Sequence, residues 1–339
     1  MSNIYNKLIR LLQILYIIFL LSYCKSVYNF DIQVLTPALV TIPSDIQKVL
    51  LVNHSNYMKS IFLDANMNRV EKNIDSLYSN EYLAALNDIL DNSPRFEVGN
   101  TAAIYLLKDS YTQQFALINW DTASALCKQY NADALIVLEN YTFPFNPTAI
   151  TTYMPDQGLY HTKITVENSA LWKIYKPFEN KIIDDCDLKD TSVWNVYDAN
   201  LMELQNKLPT KEQVIYQSCY ETGAKYGKRI AQEWHKVNRI IYNYPNVDFQ
   251  KALNLALNSQ WKEAVEIWKK YPYRNKKNLA AMASFNIAVG CEALDDIDAA
   301  LDWAAKSYFL KKSTITKDYI NILEKRNEQK NEVIKQMGN

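Results

Sequence analysis

The sequence has only six glycines in 339 residues. These are too few to build a phosphate-cradling loop as well as the turns of a folded chain, and no G-x-G-x-x-G, P-loop or G-x-S-x-G string occurs. Nucleotide chemistry and nucleophile-elbow hydrolysis are therefore not expected. Histidine is scarcer still: His54, His161 and His235 are the three, and none has a second histidine or a carboxylate at H-E-x-x-H spacing. The five cysteines include no C-x-x-C pair, so no metal centre is expected. Charge of one sign is also lacking in excess, because 37 Lys and Arg balance 37 Asp and Glu. No net field draws the chain to nucleic acid or to an anionic surface. What is present, 48% apolar and 22% charged residues, is the composition of folded globular domains. The length suits two of them.

Lys7 and Arg10 precede an apolar run from Leu11 to Leu21 broken only by Gln13, the n- and h-regions of a secretory signal. The run is too short for a permanent membrane span. Leu21-Ser22-Tyr23-Cys24 resembles a bacterial lipobox, although Tyr23 stands where Gly, Ala or Ser is usual. The resemblance implies a signal peptide over 1–23, lipid attachment at Cys24 and a linker over 24–44. It also implies a lipid-anchored place in the bacterial cell envelope, at the outer membrane.

Residues 45–243 read as a small α/β domain with a mixed sheet, sandwich-like in its layers. Lys48–Val52 and Ala134–Glu139 are short continuous apolar runs of the kind that make interior strands. Tyr82, Leu83, Leu86, Ile89 and Leu90 recur at helical spacing, and a second helix runs through Ala125 and Leu126, with Asp121 placed as its cap and Asn131 as its stop. Alternation from Ile164 to Ile174, a turn at 177–181 and the apolar pair Ile182 and Ile183 predict a hairpin, continued by 192–197. A long helix is expected over 211–236, with Gly223 and Gly227 one turn apart so that another element can approach closely. This order of elements resembles the small α/β domain of envelope assembly lipoproteins and of the TolB N-terminal domain.

The region 244–332 reads as all-α. Trp261–Trp268 repeats as Ile297–Ala304 at an offset of 36 residues, about the period of a helical hairpin. Trp261, Ala264, Trp268, Ala300 and Trp303 are the expected packing positions, the alanines letting paired helices close on each other. The pattern resembles tetratricopeptide repeats, with Asn258-Ser259 and Leu294-Asp295 standing where the turn glycine belongs. Residues 316–337 follow as a polar final helix. The whole chain resembles Bacteroidota envelope lipoproteins that carry a domain of unknown function, a likeness that implies no activity.

Candidate chemistry is sparse. Asp184, Asp185, Asp187 and Asp190 lack the glycine and the terminal glutamate of a calcium loop. Cys186 and Cys219 are positioned to pair or to remain free. Glu139 ends a strand, and His54 and Ser55 follow one, where open α/β sheets bind ligands. Trp120, Trp172 and Trp194 are candidates for a sugar platform, Trp172 also for the core. No catalytic residue, cofactor or metal is expected. The expected function is a protein-binding or assembly scaffold acting through its C-terminal repeats, with glycan binding beside an outer-membrane nutrient transporter as the alternative.

Overall fold

The structure is a computed structural model that describes residues 27–55, 59–63, 69–100, 102–106, 108, 116–144 and 146–338. The expected signal peptide and Cys24 lie outside the described residues. The strands in chain order are β1 (Val27–Thr36), β2 (Lys48–Asn53), β3 (Lys59–Leu63), β4 (Arg69–Asn73), β5 (Glu97–Val98), β6 (Ile104–Tyr105), β7 (Ala134–Thr142), β8 (Thr148–Met154), β9 (Leu159–Lys176), β10 (Lys181–Asp198) and β11 (Glu233–Tyr242). The helices are α1 (Ile74–Asp91), α2 (Trp120–Tyr130), α3 (Leu201–Lys207), α4 (Lys211–Ile230), α5 (Val247–Leu257), α6 (Trp261–Trp268), α7 (Lys277–Ala293), α8 (Ile297–Leu310) and α9 (Thr314–Met337). The chain divides into two compact units, Thr36–Glu233 with Val333–Asn339, and Met1–Leu35 with Trp234–Glu332. Among the described residues no helix is long and apolar enough to cross a membrane.

The first unit is built on a mixed sheet of order β10-β9-β7-β2-β5, in which β2 runs parallel to β5, β6 and β7 while β9 runs antiparallel to β7 and β10. The apolar runs of β2 and β7 are continuous because both faces of the sheet are covered. Val49, Leu51, Ile136 and Leu138 pack with α1 and α4, while Leu50, Val52, Leu135 and Val137 pack with α2. At Leu51, between β5 and β6, the Asn100 side chain stands in for a strand: its amide accepts from Leu51 N and donates to Leu51 O, both at 3.0 Å. Gly223 and Gly227 of α4 lie against α1, since a Cβ on Gly223 would sit 2.2 Å from the Tyr82 carbonyl oxygen and one on Gly227 would sit 2.7 Å from Ile89 Cβ.

Three local expectations are corrected. The cap of α2 is Asn119, whose side chain accepts from Thr122 N, and Asp121 lies in the first turn; Asn131 closes the helix in the left-handed conformation, φ 50°. The expected helix over 211–236 ends at Ile230, and Glu233 onward is β11, because Val237, Ile240 and Ile241 are β-branched and favour extended backbone. The hairpin strands β9 and β10 run to 18 residues each, longer than their apolar alternation alone suggests.

In the second unit β1 pairs with β11, and α5 to α8 follow with the first part of α9 around a core of Phe249, Leu253, Phe285, Ile287 and Leu323. Ala264, Trp268 and Ala300 are fully buried in that core, while Trp261 and Trp303 pack on it half-buried. Gly290 of α7 takes the Val265 methyl group, 2.4 Å from where a Cβ would stand. The turns within α5–α6 and α7–α8 are made by Ser259 and Asp295, each at φ 60°, one repeat period apart. Both accept the strain that a glycine would avoid, about 1 kcal/mol for a residue with a Cβ. Arg239 Nη2 donates to Glu292 Oε1 at 2.6 Å, and Tyr319 donates to Glu292 Oε2 at 2.8 Å, inside the core. The edge of β11 is closed by the Asn286 amide, which accepts from Tyr242 N and donates to Tyr242 O.

Candidate functional site

The carboxyl ends of β2 and β7 lie side by side, and there the register of β7 against β9 shifts between Leu138 and Asn140. Such a bulge re-aims the side chain it carries. Glu139 is 1% exposed. Its Oε2 accepts from His54 Nδ1 at 2.8 Å and from Lys108 Nζ at 2.9 Å, and its Oε1 accepts from the Tyr175 hydroxyl. Lys108 also donates to the Glu139 carbonyl at 3.0 Å. Burial pushes the Glu139 carboxyl up, but the hydrogen bonds from His54, Tyr175 and Lys108, with the Lys108 charge, prevail and hold it below the usual glutamate value. Burial first, and the neighbouring Glu139 second, push the Tyr175 hydroxyl well above its ordinary value.

Backbone bonds lock the same place. His54 N donates to Leu138 O at 2.9 Å and Lys108 N to Ser55 O at 3.0 Å. Buried Asn53 donates to Ser79 Oγ and accepts from both Ser55 N and Ser55 Oγ. Chemically, Glu139 fixes the orientation of the His54 ring through Nδ1, whereas the Ser55 hydroxyl points its proton at Asn53 and not at His54. Among the described residues of this cluster no nucleophile–base pair forms.

The strand-end positions His54, Ser55 and Glu139, read separately in the sequence, are thus brought together. Lys108 and Tyr175 were not foreseen: they lie 31 and 36 residues from Glu139, and no local pattern marks them. The tryptophans do not converge. Trp172 is buried and stacked on Tyr226 at 4.7 Å, Trp120 packs edge-on to Tyr175 at 5.6 Å, and Trp194 lines a groove beside α4. That groove, about 690 Å³, is walled by Trp194, Tyr216 and Tyr220 with Gln217, Glu81 and Glu221.

The aspartates of β10 are distributed among separate cations: Asp184 binds Arg229 and accepts from Tyr226, Asp185 binds Lys173, and Asp190 binds Lys225. Among the described residues no group of three or more His, Cys, Asp or Glu is placed to hold a metal. Cys186 and Cys219 are both free thiols, as are buried Cys127 and Cys291. Burial pushes the Cys219 thiol up to about 12. His161 Nε2 pairs with Asn195 at 2.8 Å and its ring stacks on Tyr197, and His235 lies exposed on β11.

Comparison with known proteins adds a family and little else. No curated protein matches the sequence. Among solved structures, the chain is similar to a homolog of neuraminyllactose-binding hemagglutinin from Helicobacter pylori, with a TM-score of 0.29 and 9% identity over 57% of this chain and 89% of that one. It is also similar to the PelC dodecamer protein of Paraburkholderia phytofirmans, with a TM-score of 0.22 and 11% identity over 58% of this chain and 96% of that one. A third is the lipoprotein GNA1162 of Neisseria meningitidis, with a TM-score of 0.14 and 13% identity over 47% of this chain and 91% of that one. Likenesses this weak carry no functional argument. Residues 250–325 match a second domain of unknown function, DUF6340. Residues 46–242, more than half of the chain, match the domain of unknown function DUF8603, and the protein belongs to that family.

Proposed function

We propose that the chain is a non-catalytic envelope lipoprotein, anchored by lipid at Cys24 in the outer membrane, that binds another protein through tetratricopeptide-like hairpins α5–α6 and α7–α8. One observation carries this reading. Tyr273, in the loop after α6, is 80% exposed and Phe309 on α8 is 88% exposed. The Lys306 ammonium sits 3.5 Å from the Tyr273 ring centre and 4.9 Å from that of half-buried Trp303. Aromatic anchors of this kind dominate protein interfaces, and a lone chain gains nothing by leaving them in water.

The test is site-specific photocrosslinking in the native envelope from position 309 and, as a control, from exposed Lys189 on β10. The expected result is a discrete adduct from 309 alone, lost in a Tyr273→Ser chain. Equal, diffuse labelling from both positions overturns the reading. Cys24→Ala is expected to abolish incorporation of labelled palmitate and to release the protein from the membrane; retention would refute the anchor.

A further inference from the structure

We infer that the groove beside α4 is a binding site for a neutral saccharide, a ligand role independent of the protein-binding reading and resting on the sheet unit alone. Its walls come from Glu81 of α1, Trp194 of β10, Pro209 in the turn before α4, and Tyr216, Gln217, Tyr220 and Glu221 on successive turns of α4. Three amphipathic rings in one groove supply what the C–H face of a pyranose stacks on. The amide and carboxylates between them supply the paired donors and acceptors that vicinal hydroxyls need. A volume of about 690 Å³ is that of an ordinary small-molecule site and leaves room for a short oligosaccharide.

The charge of the lining selects among ligands. None of the described lining residues is basic, and two are carboxylates. A phosphate, a nucleotide or an acidic sugar would meet repulsion and no counter-charge. Hydroxyls, which donate to carboxylates, meet none.

The groups are also held in place before any ligand arrives. Trp194 pairs in the ladder opposite Ile164 and packs on Ile164, Val166 and Val214, so its ring has one face fixed. Glu221 accepts from Ser192 Oγ at 2.6 Å and from Gln217 Nε2 at 3.1 Å, keeping lone pairs for further donors. Tyr220 donates to Asp88 at 2.6 Å, and the Tyr216 ring lies 5.0 Å from that of Tyr78. Preorganisation of this kind removes the ordering cost that weakens binding on flexible surfaces.

The experiment is titration calorimetry with saturation-transfer NMR on the full chain, using cellotriose, maltotriose and triacetylchitotriose as neutral probes. Sialyllactose serves as the acidic probe and a proline-rich decapeptide as the rival that also favours aromatic grooves. At least one neutral trisaccharide is expected to bind. Trp194→Ala and the exposed-side variant Gln217→Ala should each weaken it about tenfold, the loss of one stacking or bidentate contact. Circular dichroism checks the fold of both, and Gln217→Ala decides alone if Trp194→Ala misfolds. No binding by any neutral probe, binding untouched by both variants, or preference for sialyllactose or the peptide overturns the inference.

Discussion

Gly223→Ala separates two effects of opposite sign. In a solvent-facing helix the change stabilises, because alanine is favoured over glycine by about 1 kcal/mol. Here the new methyl group would stand 2.2 Å from the Tyr82 carbonyl oxygen and 2.8 Å from both Tyr82 C and Cα. Carbon–oxygen contacts close no nearer than about 3.3 Å, so α1 and α4 must part by roughly 1 Å. The obstructing atoms are backbone in the middle of a helix and cannot rotate aside. Overpacking of a core costs about 1–3 kcal/mol, and a contact against main chain belongs at the upper end, leaving a net loss of about 2 kcal/mol. Gly290→Ala is the internal control: its methyl meets Val265 Cγ2 at 2.4 Å and then nothing nearer than 3.9 Å, so one side-chain rotation relieves it and the loss is smaller. Urea unfolding followed by tryptophan fluorescence measures both, with Trp172, stacked on Tyr226 in the core of the first unit, as reporter for α4. A Gly223→Ala midpoint at or above that of the parent chain refutes the close-contact reasoning.

Glu139→Gln leaves Lys108, 3% exposed, without its counter-charge, and breaking a buried pair in this way costs about 3–5 kcal/mol. The pH dependence has a definite sign: the folded carboxyl lies below its ordinary 4.5, so its contribution is complete above about pH 4.5 and is lost as pH falls through the lowered folded value. Stability-versus-pH curves should therefore flatten in that acid window for Glu139→Gln, and an unchanged acid limb would contradict the assignment. Glu292→Gln should destabilise the helical unit by about 3–5 kcal/mol, because Arg239 is left buried and unpaired; calorimetric unfolding measures it, and a loss below about 1 kcal/mol would refute it. Asn100→Ala removes two hydrogen bonds to Leu51 and should cost about 1–3 kcal/mol, with amide exchange at Leu51 accelerated.

Much of the fold was legible where burial is lopsided or total. β2 and β7 announced themselves because both faces are covered, and Gly223 and Gly227 marked a close helix contact because few other needs place two glycines one turn apart on a helix. β8 was missed since Thr148–Thr152 are exposed throughout, and a strand without a buried face has no alternation to read. The first four residues of β11, Glu233–Lys236, were read into the preceding helix because Glu233, His235 and Lys236 continue its polar pattern past Ala231. The site was half legible: strand ends flagged His54 and Glu139, but their meeting depends on β2 lying beside β7, which brings together residues 85 apart. The register shift at Glu139 is a property of the β7–β9 ladder, invisible in a single strand.

On the non-catalytic proposal, the Glu139 cluster needs another explanation. A general acid or base must reach a reacting atom, and Glu139 is 1% exposed, with its carboxylate held by His54, Lys108 and Tyr175. Its net energetic gain over an apolar plug of equal volume is also small, because desolvation offsets attraction. The property to test for in the cluster is register specificity. Slipping β7 by one residue would carry a charged carboxylate to the opposite face of the sheet, leaving Lys108 and Glu139 both buried and unpaired, a cost that an all-apolar strand end would not impose. Replacing His54, Lys108 and Glu139 together by Leu, Met and Leu should accordingly leave thermal stability within about 2 kcal/mol of the parent chain, in contrast to Glu139→Gln alone. The triple variant should instead show doubled amide resonances for β7 and its neighbours as alternative registers become populated. A single sharp set of resonances at undiminished stability would mean that the hydrophobic pattern of β7 suffices to fix its register.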